Sequence, residues 1–258
     1  MNPPPYAPPH NLLAGKTVLV TAAAGTGIGF ATAKRCAEEG ARVAIADIHE
    51  RRLNEARDAL TEVLGSPPPA YLANVTNESD VQSLFTNVLD DFGHLDILVN
   101  NAGLGGTANL VDMTDEQWMS VLDVTLTGTM RMMRAALKHM EPRGSGCIVN
   151  NASVIGWRAQ VGQSHYAAAK AGVMALTRCA ALEAAPNGVR INAVAPSLAM
   201  HPFLAKVTTD DLLAELTTRE AFGRAAEPWE IANVIVFLAS DYSTYMTGEV
   251  VSVSSQRS

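Results

Sequence analysis

Tyr166 and Lys170 stand four residues apart in Ser164-His165-Tyr166-Ala167-Ala168-Ala169-Lys170, and Ser153 lies thirteen residues upstream of the tyrosine. On a helix, positions i and i+4 share a face, so phenol and ammonium can converge on one point. An exposed phenol keeps its proton to about pH 10. A neighbouring cation favours the phenolate and lowers that pKa. Bringing it near neutrality takes about 4 kcal/mol of differential stabilisation. Tyr166 would then be a usable proton donor and acceptor, with Ser153 placed to hydrogen-bond a carbonyl or hydroxyl beside it. A lone Tyr-x-x-x-Lys is a weak motif, so its weight rests on the elements that position it.

Those elements alternate. Thr17–Thr21, Arg42–Ala46, Ala70–Ala73, Leu95–Asn100, Cys147–Asn151, Arg190–Ala195 and Val250–Val253 read as strands. Helical patterns lie between them at Ile28–Glu39, Glu50–Leu64, Ser79–Phe92, Asp115–Met140, Ser164–Ala185 and Pro228–Ala239. This alternation implies an α/β fold: one doubly wound parallel sheet of about seven strands with helices on both faces. Ligands bind such sheets beyond the carboxyl ends of the strands. Residues 1–15 are expected as a proline-rich N-terminal arm, read as a disordered tail in preference to an arm packing on a neighbouring subunit, ahead of a single Rossmann-like domain over 16–258. Residues 197–223 break the alternation and are read as a substrate lid or a plain surface helix.

The first strand runs into Ala22-Ala23-Ala24-Gly25-Thr26-Gly27-Ile28-Gly29 and then a helix. Such glycines let a backbone approach a pyrophosphate at a helix N-terminus. The second strand ends near Asp47, where a carboxylate can accept both ribose hydroxyls and repel a 2′-phosphate. Hydrogen bonds to a charged group are worth about 1.5–3 kcal/mol, which favours NAD over NADP. Arg51 and Arg52 are the nearby cations, and their helix positions are expected to turn them outward.

The net charge of −7 argues against a nucleic-acid partner. Cys36, Cys147 and Cys179 have no paired spacing and read as reduced thiols of a cytoplasmic protein. No apolar run reaches the ~18 residues of a membrane span, and no metal-ligand set is expected.

Taken in order, Thr21, Gly27-Ile28-Gly29, Asp47, Asn100-Asn101-Ala102-Gly103, Ser153, Tyr166-x-x-x-Lys170 and Phe237-Leu238-Ala239-Ser240-Asp241 closely resemble the short-chain dehydrogenase/reductase family. The resemblance runs from about Lys16 to Val253. It implies hydride transfer between a nicotinamide and a carbon–oxygen centre. Tyr166 would be the acid/base, and Lys170 would lower its pKa and bind the nicotinamide ribose. Ser153 would orient the substrate oxygen. Thr21, Gly25, Gly27, Ile28, Gly29, Asn101, Ala102, Gly103 and Pro196 would border the cofactor.

Departures from the family pattern fall inside the expected site. Alanines follow Thr21, and Gly25 is expected to supply the permissive backbone of a missing glycine. Asn74, beside Val75, replaces the usual adenine-contacting aspartate, and its amide oxygen is expected to accept from adenine. Thr125 replaces the asparagine of the family's proton relay, and its hydroxyl is expected to hold a water. His201 stands where a carboxamide-contacting threonine is usual. These features, with Ala195-Pro196-Ser197 and Gly223-Arg224-Ala225-Ala226-Glu227-Pro228, are similar to actinobacterial members associated with breakdown of steroid ring-derived acyl-CoA thioesters.

Val154, Ile155, Trp157, Met200, Phe203 and Leu204 flank the expected cleft and suit an apolar substrate. The expected reaction interconverts a secondary alcohol and its ketone. A 3-oxoacyl thioester reductase using NADPH, or a non-catalytic nucleotide-binding scaffold, are the alternatives. Met130, Met132, Met133 and Met140 are read either as packing inside the subunit or as an interface. The resemblance implies a subunit interface through Asp115–Met140 and Ser164–Ala185, and a homotetramer is expected, with a dimer as the alternative.

Overall fold

The computed structural model describes residues 2–200 and 210–256. Seven parallel strands form one sheet: β1 (Thr17–Thr21), β2 (Arg42–Asp47), β3 (Ala70–Leu72), β4 (Ile97–Asn100), β5 (Gly146–Asn151), β6 (Val189–Pro196) and β7 (Val250–Val253). Their order is β3-β2-β1-β4-β5-β6-β7. The direction of winding reverses between β1 and β4, which leaves a crevice at their carboxyl ends.

The central strands are buried on both faces, as parallel strands between helices must be. Val18 and Val20 pack toward α1 (Ile28–Glu38), α2 (Glu50–Leu64) and α8 (Pro228–Ala239). Leu19 packs on the other side, with α3 (Glu78–Phe92), α5 (Gly128–Arg143) and α6 (Ser164–Ala184). β1 and β7 keep their expected bounds, and the other strands differ by one or two residues. β4 starts at Ile97 because the Leu95 N–H donates to His139 Nε2 at 3.1 Å, outside the ladder.

The single helix expected over Asp115–Met140 is interrupted. α4 (Asp115–Leu122) passes through a π turn (Asp123–Thr127) into α5. Single π turns inside helices recur at functional sites, and this one carries Thr125. A Cβ on Gly128, just beyond it, would lie 2.7 Å from Val75 Cγ2, so glycine lets the helix approach that loop. Met132, Met133 and Met140 belong to the core. Met130 is half-buried.

The N-terminal arm differs from the expected tail. Arg35 and Glu39, both buried on one side of α1, form an ion pair at 2.5 Å. Arg35 also donates to the carbonyls of Ala7 and Pro8. Glu39 accepts from the N–H groups of His10 and Leu12. Tyr6 donates to Glu38 and packs edge-on against Trp229 of α8, ring centroids 5.3 Å apart. The pair had no visible purpose in sequence; its purpose is to receive the arm.

Beyond β6, Leu198–Met200 and Ala226 run side by side. The buried Glu220 accepts from Leu198 N–H at 3.4 Å and Ser255 Oγ at 2.7 Å. Helix α7 (Asp210–Thr218) lies within the expected lid. His201, Phe203 and Leu204 lie outside the described residues.

Candidate active site

The loops at the carboxyl ends of β1, β4 and β5 are joined by one polar network. Thr21 Oγ1 accepts from the N–H groups of Asn101 and Ala102, at 3.0 and 3.1 Å. Asn101 Nδ2 donates to Ala22 O at 3.0 Å, and its Oδ1 accepts from Asn151 Nδ2 at 2.8 Å. Below them, Asn100 donates to Asn150, which is its partner in the β4–β5 register, and Asn150 donates to Thr177 of α6. Sequence reasoning missed Asn150 and Asn151. The signal was an Asn-Asn pair ending each of two apolar strands, matched in register.

Ser153 is the cap residue of the short 3₁₀ turn Val154–Gly156, and its Oγ accepts from Ile155 N–H at 3.3 Å. Tyr166 and Lys170 project from the first turns of α6. Ser153 lies close enough to the Tyr166 phenol to act on its pKa, favouring the phenolate. Lys170 Nζ lies 5.6 Å from the centroid of the tyrosine ring and donates to Asn151 O at 2.5 Å. The three candidate catalytic side chains therefore meet.

Their electrostatics differ from expectation. Burial pushes the Tyr166 phenol up to about 12, with Ser153 acting in the opposite direction. Burial pushes the Lys170 ammonium down to about 8. The lysine is set against a carbonyl and desolvated, so its charge is itself penalised and does not bring the phenol to neutrality here. The phenol is a proton donor at neutral pH.

Thr125 is fully buried. Its Oγ1 accepts from Leu104 N–H at 3.0 Å and donates to Leu104 O at 3.2 Å. Thr129 Oγ1 takes the Thr125 carbonyl at 2.8 Å. The hydroxyl thus ties down the loop after β4 with its proton and one lone pair, leaving one acceptor site.

At the cofactor end, Gly25 has φ +92° and supplies the expected permissive backbone. Ala22 also enters the left-handed region, at φ 49°. Gly29 is required sterically: a Cβ there would lie 2.3 Å from Ala22 O and 2.5 Å from Asn101 Nδ2. Gly27 is the cap residue of α1 and Ile28 its first residue. Asp47 is 8% exposed and accepts from Ala24 N–H at 3.1 Å and His49 N–H at 3.0 Å. Burial raises its pKa, while the Ala24 N–H and the Arg52 charge pull it down. Arg51 is exposed and pairs with Glu55, as expected. Arg52, half-buried, is instead felt at Asp47.

Asn74 corrects a second expectation. Its Oδ1 accepts from Thr76 N–H at 3.0 Å and Thr76 Oγ1 at 2.9 Å, so the oxygen meant for adenine is engaged in its own turn. Val75 packs on α5 at Gly128. Gly103 faces Lys170 Nζ, which a Cβ would approach to 3.4 Å. Pro196 is the buried last residue of β6. Val154 is buried, Ile155 and Met200 are half-buried, and Trp157 is 50% exposed.

Residues 22–255 match the family model described as Enoyl-(Acyl carrier protein) reductase. The chain is 59% identical to (5R,7aS)-5-hydroxy-7a-methyl-1-oxo-2,3,5,6,7,7a-hexahydro-1H-indene-carboxyl-CoA reductase of Mycobacterium tuberculosis, across 96% of this chain and 95% of that one. It belongs to the short-chain dehydrogenase/reductase family. A crystal structure of a short-chain dehydrogenase from Mycobacterium smegmatis, 58% identical, superposes with a TM-score of 0.88 and covers 100% of this chain and 99% of its own. The cis-4-hydroxycyclohexanecarboxylate dehydrogenase of Sinomonas cyclohexanicum is 41% identical over 92% of this chain and 94% of its own. As a member of the short-chain dehydrogenase/reductase family, the chain is an NAD(P)-dependent oxidoreductase acting on CH–OH groups and ketones of a small-molecule substrate.

The residues present fit a dinucleotide. Gly27 caps α1 without a side-chain hydrogen bond, so the helix N-terminus offers backbone N–H groups to a phosphate. Asp47 spends two acceptor sites on the backbone, of roughly four that a carboxylate carries. The others can receive ribose hydroxyls.

Proposed function

We propose that this enzyme interconverts a ketone and a secondary alcohol on a fused-ring, apolar substrate carrying a carboxyl-CoA thioester, with NAD(H) as the cofactor. The observation that carries the reading is the meeting of Ser153, Tyr166 and Lys170 beside the β1–β4 crevice, in a chain similar over nearly its whole length to a bicyclic carboxyl-CoA reductase. Asp47 supports NAD, because its carboxylate would repel a 2′-phosphate. The segment from buried Val154 to exposed Trp157 supports an apolar substrate.

A nicotinamide, when bound, would supply or take the hydride. Gly25, Gly27 and the start of α1 would hold its phosphates, Asp47 its adenosine ribose, and Asn101–Gly103 with Lys170 its nicotinamide side. Ser153 Oγ hydrogen-bonds the substrate oxygen and fixes it against Tyr166. In reduction the protonated phenol gives its proton to that oxygen. In oxidation it must first lose the proton, and the Lys170 ammonium stabilises the phenolate. A phenol pushed up to about 12 suits the reductive direction at neutral pH. General acid help of this kind is worth about 10²–10⁴ in rate.

The homotetramer reading is supported by a groove between α5 and α6 where Met130, Leu137 and Leu176 lie among the charged Arg134, Lys138, Glu141 and Glu183. Sedimentation as a monomer at micromolar concentration would remove it. A cytoplasmic setting is supported by the free thiols of Cys36, Cys147 and Cys179. Among the described residues no helix is long and apolar enough to cross a membrane. A second reading, reduction of 3-oxoacyl thioesters with NADPH, is favoured by the Arg52 charge beside Asp47 and by 39% identity to the 3-oxoacyl-acyl-carrier-protein reductase FabG of Thermotoga maritima.

The test is fluorescence titration with NADH and NADPH, followed by turnover of a bicyclic keto-carboxyl-CoA thioester and a linear 3-oxoacyl thioester. Tighter NADH binding and preference for the bicyclic thioester are expected. Tighter NADPH binding with preference for the linear thioester would move the second reading to first place.

A further inference from the structure

The loop after β4 presents three glycines to α6, in step with its chemistry. Gly103 faces Lys170 Nζ, Gly105 faces Tyr166, and Gly106 faces His165. The series runs from the nucleotide side outward, past the reacting phenol. Gly105 and Gly106 are exposed, and neither has the left-handed φ that would demand glycine. Their lack of side chains is therefore not explained by backbone conformation.

The two positions differ in what a methyl group would meet. At Gly105 the nearest atom is Tyr166 Cδ2 at 4.0 Å, an ordinary contact, so the protein has room for a Cβ. At Gly106 a Cβ would lie 3.2 Å from His165 Nε2. His165 is 2% exposed, and its Nδ1 is buried without a hydrogen-bond partner. It forms a fixed back wall for the strip. The strip is also pinned at its ends. Leu104 is held by Thr125, and the Gly106 carbonyl accepts from Gln163 Nε2 at 2.7 Å. Ala108 N–H donates to Gly162 O at 3.0 Å.

We infer that Gly105 is a specificity-determining residue: its missing side chain leaves width beside Tyr166 for a fused-ring ketone, and His165 behind Gly106 keeps the strip from moving to create or surrender that width. The inference rests on the ketone-reducing reading above. It adds the residue that sets substrate breadth.

The experiment compares wild type, Gly105→Ala and Gly106→Ala for NADH-dependent reduction of cyclohexanone and of trans-1-decalone, with NADH binding and Tm measured on each protein. One added methyl group in a shaped site is worth about 10- to 200-fold in discrimination. Gly105→Ala is expected to lower kcat/KM for the decalone at least tenfold more than for cyclohexanone, mainly through KM, with NADH affinity and Tm retained. Gly106→Ala displaces the whole strip against His165 and is expected to lower both ketones by similar factors. Equal losses on both ketones in Gly105→Ala, or no loss on either, would overturn the inference while leaving the ketone-reducing reading intact. A wild type that binds NADH and reduces neither ketone, nor the bicyclic keto-carboxyl-CoA thioester, would bring down both.

Discussion

Arg35 and Lys170 are both buried cations on helices flanking the sheet, 4% and 3% exposed, and their surroundings are opposite. Arg35 meets the Glu39 carboxylate and two backbone carbonyls, and Glu39 in turn takes two backbone N–H groups. Burial alone would raise the Glu39 pKa, but those partners hold it below the usual carboxylate range. Lys170 has the single carbonyl of Asn151, and burial pushes its pKa down to about 8. A charge set against a carboxylate and two carbonyls fastens the chain, even with Arg35 Nε left without a partner. A charge left short of partners can still act on a phenol or a ribose. A carboxylate partner is thus supplied to the cation that fastens the arm and withheld from the one in the crevice.

The largest expected effect tests the withheld side. Tyr166→Phe should lower kcat by about 10²–10⁴ with NADH affinity unchanged, read by steady-state kinetics and fluorescence titration. Retention of activity within tenfold would place the proton transfer elsewhere.

The next effect tests the fastened side. Removing one member of a buried pair leaves the other charge unpaired, at about 3–5 kcal/mol. Arg35→Met should lose that much in equilibrium urea unfolding, while kcat for the remaining folded enzyme stays near wild type. Lys170→Met should not destabilise comparably, because it removes a penalised charge. Equal destabilisation of the two variants would erase the contrast.

A pH series sharpens it. Lys170 titrates near 8 in the folded chain and near its ordinary value when unfolded, so between those values the unfolded state binds more protons and stability rises with pH. The gain should approach about 3 kcal/mol by pH 10, above which the raised Tyr166 contributes with the opposite sign. Unfolding followed from pH 7 to 10 should show this rise in wild type and not in Lys170→Met. Glu39 acts in acid: its depressed pKa contributes stability that is lost as pH falls below the ordinary carboxylate value.

The smallest effect concerns Thr125. Thr125→Val removes two hydrogen bonds to Leu104 and should cost about 1–2 kcal/mol, with faster hydrogen exchange at Leu104 and a few-fold loss in kcat. A loss as large as that of Tyr166→Phe would put the hydroxyl in the proton path.

The sheet was legible because apolar β-branched runs alternate with helical ones, and parallel strands buried on both faces leave that mark. Ser153, Tyr166 and Lys170 were legible as a local spacing on one helix and the turn before it. What escaped depends on contacts between distant segments. The π turn at Asp123–Thr127 carries no sequence mark of its own. Asn74 could not be assigned because Thr76, two residues on, competes for its oxygen. Arg35 and Glu39 carry no local mark of their role, because their partners are backbone groups of an arm 27 to 29 residues away. Arg52 was expected to point away from Asp47, yet its charge reaches the carboxylate.

Ala22 holds a left-handed φ of 49° that L side chains other than asparagine and aspartate seldom take. Its carbonyl also anchors Asn101. The methyl group is thus a standing liability in the loop that meets the cofactor, tolerated because the surrounding hydrogen bonds leave the backbone no alternative. For thermostabilisation, this is a site where trimming a residue should help and filling space should not. Ala22→Gly relieves the strain, at the cost of some added freedom in the unfolded chain.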